Sequence, residues 1–275
     1  MDLLQALTRV LTATAPHTPA AVTVTAGRGL PGPGHNPTVA ECWRLVLVID
    51  GAARFALAGG TVDLASGAAL VLAPGTWVAN ATPADRAYRS LGMACAADHT
   101  RAYLLACAPG RTSRRFTTDH LTAPPLSAPV RRLLAGLEGA NATRTLHIAA
   151  LALDDLRAAL ANPPAADDDA RWKGARHFIA EHCHRPLGRD EVARLLAVHP
   201  NHVPRLFRRW GGTTFAAELQ RARLDRARAL LADPTVSLTT VAAACGLSGP
   251  SHLIRLCRRR WGLTAAGLRD RLQMK

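Results

Sequence analysis

The sequence predicts an α+β protein of two domains. The first is a small β-barrel or sandwich followed by two helices. The second is all-helical, with two helix-turn-helix units joined by a long helix. Three observations predict this. The pattern changes along the chain from glycine-punctuated strands to helical periodicity. The excess positive charge lies almost wholly in the last 105 of the 275 residues. A short basic helical motif occurs twice, about fifty residues apart.

The length suits two domains, and 48% hydrophobic residues are too many for a disordered chain. From about Glu41 to Cys95 the pattern is β. CWRLVLVID is apolar and partly β-branched, ARFAL and TVDL flank a hairpin signal at Gly59-Gly60, and ALVLAPGTWVA and YRSLGMAC follow. Turn signals at Gly51, Gly59-Gly60, Gly67 and Pro74-Gly75 recur roughly every eight residues, the spacing of short strands in a barrel or sandwich. The charge-free run from Leu64 to Ala84 is broken by Gly67, Pro74, Gly75 and Pro83. It therefore predicts strands and turns, not a membrane span.

Two helices are expected next, APVRRLLAGLE and TRTLHIAALALDDLRAAL, on either side of Gly139-Ala140-Asn141. In the second, Leu146, Ala149, Ala150, Leu153, Leu156 and Leu160 form an apolar stripe. A lone helix would leave that stripe wet, so the Ala142–Leu160 helix is expected to form a homodimer interface. ANPPAADDDA, residues 161–170, has linker composition, and Asp167-Asp168-Asp169 is expected to be solvated. The expected organisation is a first domain over 1–160, a linker over 161–170 and a helical domain over 171–275.

Residues 1–170 carry 14 basic and 13 acidic side chains, whereas residues 171–275 carry 20 and 7, a net of +13. A basic domain joined to a neutral one implies a polyanionic partner for the basic half. Cys42, Cys95, Cys107, Cys183, Cys245 and Cys257 contain no CxxC pair and are expected as reduced thiols of a cytoplasmic protein. MDLLQALTRVLTATAPH lacks the basic start and apolar core of a signal peptide.

The repeat carries most of the functional argument. In RLFRRWGG and the residues before it, Val203, Leu206, Phe207 and Trp210 fall on one helical face, with Asn201, His202, Arg205, Arg208 and Arg209 on the other. In RLCRRRWGL and the residues before it, Leu253, Leu256 and Cys257 oppose Ser251, His252, Arg255, Arg258 and Arg259. A second helix precedes each. Val192, Ala193 and Leu196 align with Val241, Ala242 and Cys245. The turn is Ala197-Val198-His199 in one copy and Gly246-Leu247-Ser248 in the other. The offset grows from 49 residues to 50 across it, so the second turn holds one extra residue. Helix, tight turn, then a helix with one greasy and one basic face is the helix-turn-helix plan. On the exposed face Arg can pair with guanine, Asn with adenine, and His or Ser with a base edge or phosphate. Phe215 to Leu231 predicts an uninterrupted 17-residue spacer helix, roughly 25 Å long. That length suits two recognition helices in successive major grooves, ~34 Å apart.

Residues 172–270 resemble the DNA-binding domain of the AraC/XylS transcription regulators. The resemblance rests on FAAELQRARLDRARALL and VSLTTVAAACGLSGPSHLIRLCRRRWGLTAAGLR. It implies double-stranded promoter DNA as partner, with RNA polymerase beside it. Asn201, His202 and Arg205 would read bases in the first unit, and Ser248, Ser251, His252 and Arg255 in the second. Arg208, Arg209, Arg258 and Arg259 would hold phosphates. The family usually has Phe where Leu247, Leu253 and Cys257 stand, and Pro where Ala265 stands. Pro204 sits early in the first recognition helix, where the missing N–H predicts a late start or a bend.

LVLVIDGAARFALAGGTVDLASGAALVLAPGTWVA resembles the cupin-like sensor domain of the same family. That implies a small organic effector, or none. Metal-binding cupins use a histidine pair and a carboxylate, but here the PG segment continues Thr76-Trp77-Val78-Ala79-Asn80, so neither a metal nor another cofactor is expected. Trp43 and Trp77 are candidates for a pocket or for plain core. His182-Cys183-His184-Arg185 resembles the nucleophile segment of alkylguanine-DNA alkyltransferases, but His182 stands where those have proline. The expectation is therefore a non-enzymatic regulator. The alternatives are a cupin-fold or alkyltransferase-like enzyme whose basic domain targets DNA, and a regulator that needs no effector.

Overall fold

The computed structural model describes residues 21–25, 37–109, 115–137, 141–161, 168–196 and 198–274. The chain forms two compact units, Met1–Gly174 and Ala175–Lys275.

The described strands of the first unit are β1 (Ala21–Thr25), β2 (Thr38–Val39), β3 (Trp43–Leu57), β4 (Gly60–Ala65), β5 (Ala68–Leu72), β6 (Trp77–Asn80), β7 (Tyr88–Cys95), β8 (Thr100–Ala108) and β9 (Arg115–Ala123). The long β3 organises them. Its first half pairs antiparallel with β5 and β7, and its second half with β4 and β6. The register slips between Val48 and Asp50, and the strand turns the corner at Gly51, where φ is +76°. A Cβ at Gly51 would stand 2.3 Å from the Ala87 carbonyl oxygen, so only glycine fits this bend. The sheet thus curls into a half-barrel, continued through β7, β8 and β9, with β1 parallel to β5 at the far edge. The predicted hairpin at Gly59-Gly60 forms, with Leu57 opposite Gly60.

Both faces of this sheet are covered, which explains why β3 and β5 read as continuous apolar runs instead of alternating ones. One parity, Val46, Val48, Phe55, Leu70, Leu72 and Val78, fills the barrel. The other, Leu45, Leu47, Val71, Leu91 and Met93, packs on two helices, α1 (Ala128–Ala135) and α2 (Ala142–Ala161). Here the sequence expectation needs correcting. Ala149, Leu153 and Leu156 of the stripe proposed for dimerisation lie in this core, and Leu146 and Ala150 are half-buried. The Leu160 side chain lies outside the described residues. The stripe is covered by the sheet of its own domain, a packing that amphipathicity alone does not distinguish from a subunit interface.

Both ends of the expected linker, 161–170, are helical. Ala161 closes α2, and Asp168 and Asp169 open α3 (Asp168–His182), where acidic groups complement the positive helix N-terminus. Residues 162–167 lie outside the described set. In the second unit follow α4 (Arg189–Leu195), a 3₁₀ turn (Pro200–His202), α5 (Val203–Gly211), α6 (Phe215–Leu231), α7 (Leu238–Ala244), α8 (Pro250–Trp261) and α9 (Ala265–Gln273). The residues they bury include Val192, Val203, Phe207, Leu224, Leu230, Val241, Leu253, Leu256 and Cys257. Leu253 and Cys257, where the resembled family has Phe, are fully buried. Among the described residues no helix is long and apolar enough to cross a membrane.

Candidate nucleic-acid interface

The two copies share one local construction. α4 and α7 each end in the same hydrogen bond, from Val198 N–H to the Ala193 carbonyl (3.0 Å) and from Leu247 N–H to the Ala242 carbonyl (2.9 Å). These bonds keep the 49-residue offset. Pro200 and Pro250, the next matched pair, are 50 apart and stand at the first helical position of each recognition element. The extra residue therefore lies between Leu247 and Pro250. Gly249 there adopts φ +154°, a backbone conformation close to glycine-only.

The echo also runs further than the apolar and basic pattern predicted. Gly212 and Gly262 end α5 and α8 in left-handed conformation. Thr214 and Thr264 then cap the next helices, their hydroxyls accepting from Ala217 and Gly267 N–H. The Gly-x-Thr signal for these caps is present in both sequence copies.

Pro204 explains the difference between the recognition helices. In an α-helix the residue-204 N–H would bond to the Pro200 carbonyl, and proline has none. The Val203 N–H takes that carbonyl instead, and His202 N–H bonds to His199 O at 2.9 Å, so the first turn winds as 3₁₀. Asn201 and His202 therefore lie in a 3₁₀ turn ahead of α5, not on the helix as the periodicity placed them. The Asn201 backbone N–H donates to His199 Nδ1 at 3.3 Å, and the His199 and His202 rings meet edge-on at 6.4 Å. In the second copy Pro250 opens a regular helix. Ser251 and His252 lie in its first turn, and Ser248 precedes it in the connecting turn.

Asn201, His202, Arg205, Arg208 and Arg209 are all exposed, and so are Ser248, Ser251, Arg255, Arg258 and Arg259. His252 is half-buried, with Nδ1 3.1 Å from Ser248 Oγ, a bond that orients its ring. The opposite faces bury Val203 and Phe207 in one helix and Leu253, Leu256 and Cys257 in the other, with Phe207 packed edge-on against Phe215. Each helix thus presents a polar, arginine-rich surface matched to the acceptors of a major groove and its phosphates.

Part of the basic excess is used internally, which sequence reasoning missed. Arg226 is only 4% exposed, and its Nε donates to the Ala244 carbonyl at 2.7 Å. Arg223 Nε donates to the Cys183 carbonyl at 2.8 Å. Arg176 and Arg221 both bind the buried carboxylate of Glu218, and Arg185 pairs with Glu191 at 2.6 Å. The i, i+3 spacing of Arg223 and Arg226 was the only available signal. The segment resembling an alkyltransferase nucleophile also has an internal role. Cys183 is fully buried, and its carbonyl is an acceptor in this network. Burial, aided by Arg226 and Arg185, pushes the neighbouring His184 down to about 3.

In the first unit Trp77 is buried, and Trp43 packs on the helix-covered core. The barrel-facing parity also carries two arginines, Arg44 and Arg101. Both are buried, and the Arg101 guanidinium lies 5.6 Å from the Tyr103 ring centre.

Two family models match the chain, an AraC-like ligand binding domain over residues 22–154 and a helix-turn-helix domain over 192–271. The chain is 35% identical over 129 residues to the HTH-type transcriptional regulator GlxA of Rhizobium meliloti, covering 42% of this chain and 39% of that protein. It is 28% identical over 127 residues to the HTH-type transcriptional regulator YpdC of Escherichia coli, covering 45% of each. The matches thus span less than half the length of these relatives. Among solved structures, a transcriptional regulator with an AraC-type DNA-binding domain from Chromobacterium violaceum is 26% identical. It covers 38% of this chain and 92% of that one, with a TM-score of 0.36.

Proposed function

Because the chain belongs to the AraC family of transcriptional regulators, we propose that it binds double-stranded promoter DNA through two recognition helices and is controlled by a small organic effector held in the barrel. The observation that carries this reading is the duplicated exposed basic face, at matching positions of two helix-turn-helix units. Arg205 and Arg255, central on each face, read bases together with Asn201, His202, Ser248, Ser251 and His252. Arg208, Arg209, Arg258 and Arg259 hold phosphates. RNA polymerase is the partner through which DNA binding becomes regulation. The protein acts in the cytoplasm and as a homodimer, with an interface other than the buried α2 stripe. It performs no chemistry of its own, and the alkyltransferase-like alternative is disfavoured because the Cys183 thiol is buried.

The test is selection of duplexes from a random pool by the full-length protein, followed by footprinting on the selected site with and without candidate metabolites. The proposal predicts one enriched motif with two segments about one helical turn apart, and protection that changes with one class of metabolite. Enrichment of no motif would refute DNA reading. Unchanged protection across the metabolites would favour an effector-independent regulator.

A further inference from the structure

Arg223 and Arg226 lie one turn apart on the spacer helix α6, so their side chains leave the same side of it. Each donates to backbone carbonyls at the C-terminal end of a different helix. Arg223 Nε reaches Cys183 O at 2.8 Å and its Nη2 reaches Arg185 O at 3.4 Å, just beyond the end of α3. Arg226 Nε reaches Ala244 O, the last carbonyl of α7, at 2.7 Å. Carbonyls at helix ends lack an intrahelical donor and carry the negative end of the helix dipole, so a guanidinium is a strong and directional partner for them.

These contacts form a continuous route between the two helix-turn-helix units. The Arg185 side chain pairs with Glu191 in the first turn of α4, tying the end of α3 to the first helix-turn-helix. The turn after α7 rests directly on the end of α3, with the Gly246 backbone against the carbonyls of Cys183 and His184. Arg226 is buried, so it cannot itself touch DNA.

We infer that Arg223 and Arg226 are positioning residues that lock the two recognition helices in one mutual arrangement, so that the protein accepts DNA only when its two segments stand at one spacing and helical phase. This rests on the DNA-binding reading above. The flexible alternative, two units that adjust independently to the duplex, would need no buried guanidinium joining both to one helix.

The experiment uses the full chain and a duplex selected from a random pool by the wild-type protein. Two further probes are made: the duplex with about five base pairs inserted between its two segments, a half turn, and a duplex carrying one segment alone. Losing simultaneous engagement of two linked sites costs roughly 100-fold, which is the expected wild-type loss on the half-turn insertion. For Arg226→Leu the expected discrimination between the parent and half-turn duplexes falls to about threefold or less, while affinity for the single segment stays within about twofold. Arg226→Lys keeps a charged donor and should lie between the two. A folded Arg226→Leu protein with wild-type discrimination overturns the inference. Should Arg226→Leu lose its helical circular dichroism, Arg223→Gln, at a half-buried position, decides in the same way. A wild-type protein indifferent to the half-turn insertion overturns the inference while leaving DNA binding intact. A wild-type protein that enriches no duplex overturns the DNA-binding reading and this inference with it.

Discussion

Gly246 lies directly against the backbone of His184. A Cβ at Gly246 would stand 2.7 Å from the His184 carbonyl oxygen and 2.9 Å from that of Cys183, and φ there is +66°. Contact and conformation therefore both demand glycine. Gly246→Ala is expected to destabilise the second unit by more than the ~1 kcal/mol typical of Gly→Ala at a left-handed helix end. Gly262→Ala, with φ +70° and open space around its Cβ, supplies that reference. Urea midpoints of both variants check this, and equal shifts would mean the backbone at 183–184 gives way.

The second prediction concerns acid. His184 is held neutral by burial, with its pKa pushed down to about 3 from 6.5. In the unfolded chain it protonates at its ordinary value, so below about pH 6.5 the unfolded state binds the extra proton. Stability should therefore fall as pH drops from there toward 3, and be unaffected by this group above pH 7. His184→Gln is expected to flatten the dependence, as measured by thermal unfolding between pH 7.5 and about 4.5. A profile of unchanged steepness would assign the acid sensitivity to the carboxylates.

Leu153 and Leu151 separate core from surface on α2. Leu153 is buried in the domain core, whereas Leu151 is 46% exposed. Leu153→Glu places a charge against apolar neighbours and is expected to cost several kcal/mol, enough to unfold the first unit at moderate temperature. Leu151→Glu should stay within about 0.5 kcal/mol of wild type. Calorimetry checks both, and a folded Leu153→Glu protein that only loses its oligomeric state would restore the stripe to a subunit interface.

How much was legible follows from what periodicity can encode. The duplication was readable because one apolar face and one basic face recur at a fixed offset. Even the extra residue of the second turn could be inferred, because the offset changes from 49 to 50, although its position beside Gly249 came from the hydrogen bonds. The partner of a buried face could not be read. Leu153 and Leu156 announce that α2 is covered, but nothing local says whether by a sheet or by another subunit. Nor could sequence sort the arginines. Arg226 and Arg228 are two residues apart on one helix, yet one is buried on a carbonyl and the other exposed. Arg44 and Arg101 escaped notice for the opposite reason, since an arginine on a strand is ordinarily an exposed one. Pro204 was visible as a disturbance, but its outcome, a 3₁₀ turn that moves Asn201 and His202 off the helix, depended on the Val203 N–H being free to take over the Pro200 carbonyl.

The arginines that remain exposed set the salt dependence. With roughly 6–8 phosphate contacts, log affinity for the selected duplex should fall linearly with log salt at a slope of about −5 to −7. Arg226→Leu removes no phosphate contact and should leave the single-segment slope unchanged, whereas Arg258→Ala should reduce it by about one unit. Fluorescence anisotropy across a salt series gives both slopes, and a slope near zero for the wild type would mean that the basic excess serves the fold alone.

The most direct test of the central claim compares Arg255→Ala with Arg258→Ala. Both side chains are exposed on α8, Arg255 near its middle and Arg258 one turn closer to its C-terminal end. Competitive binding is measured on the selected duplex and on a scrambled one. If α8 reads bases, Arg255→Ala should cost about 1–3 kcal/mol on the selected duplex, far less on the scrambled one, and relax preference at one segment. Arg258→Ala should weaken both duplexes by nearly the same factor. An Arg255→Ala protein that loses the same factor on both would contradict the account, since Arg255 would then hold the backbone and α8 would carry no base reading at that position.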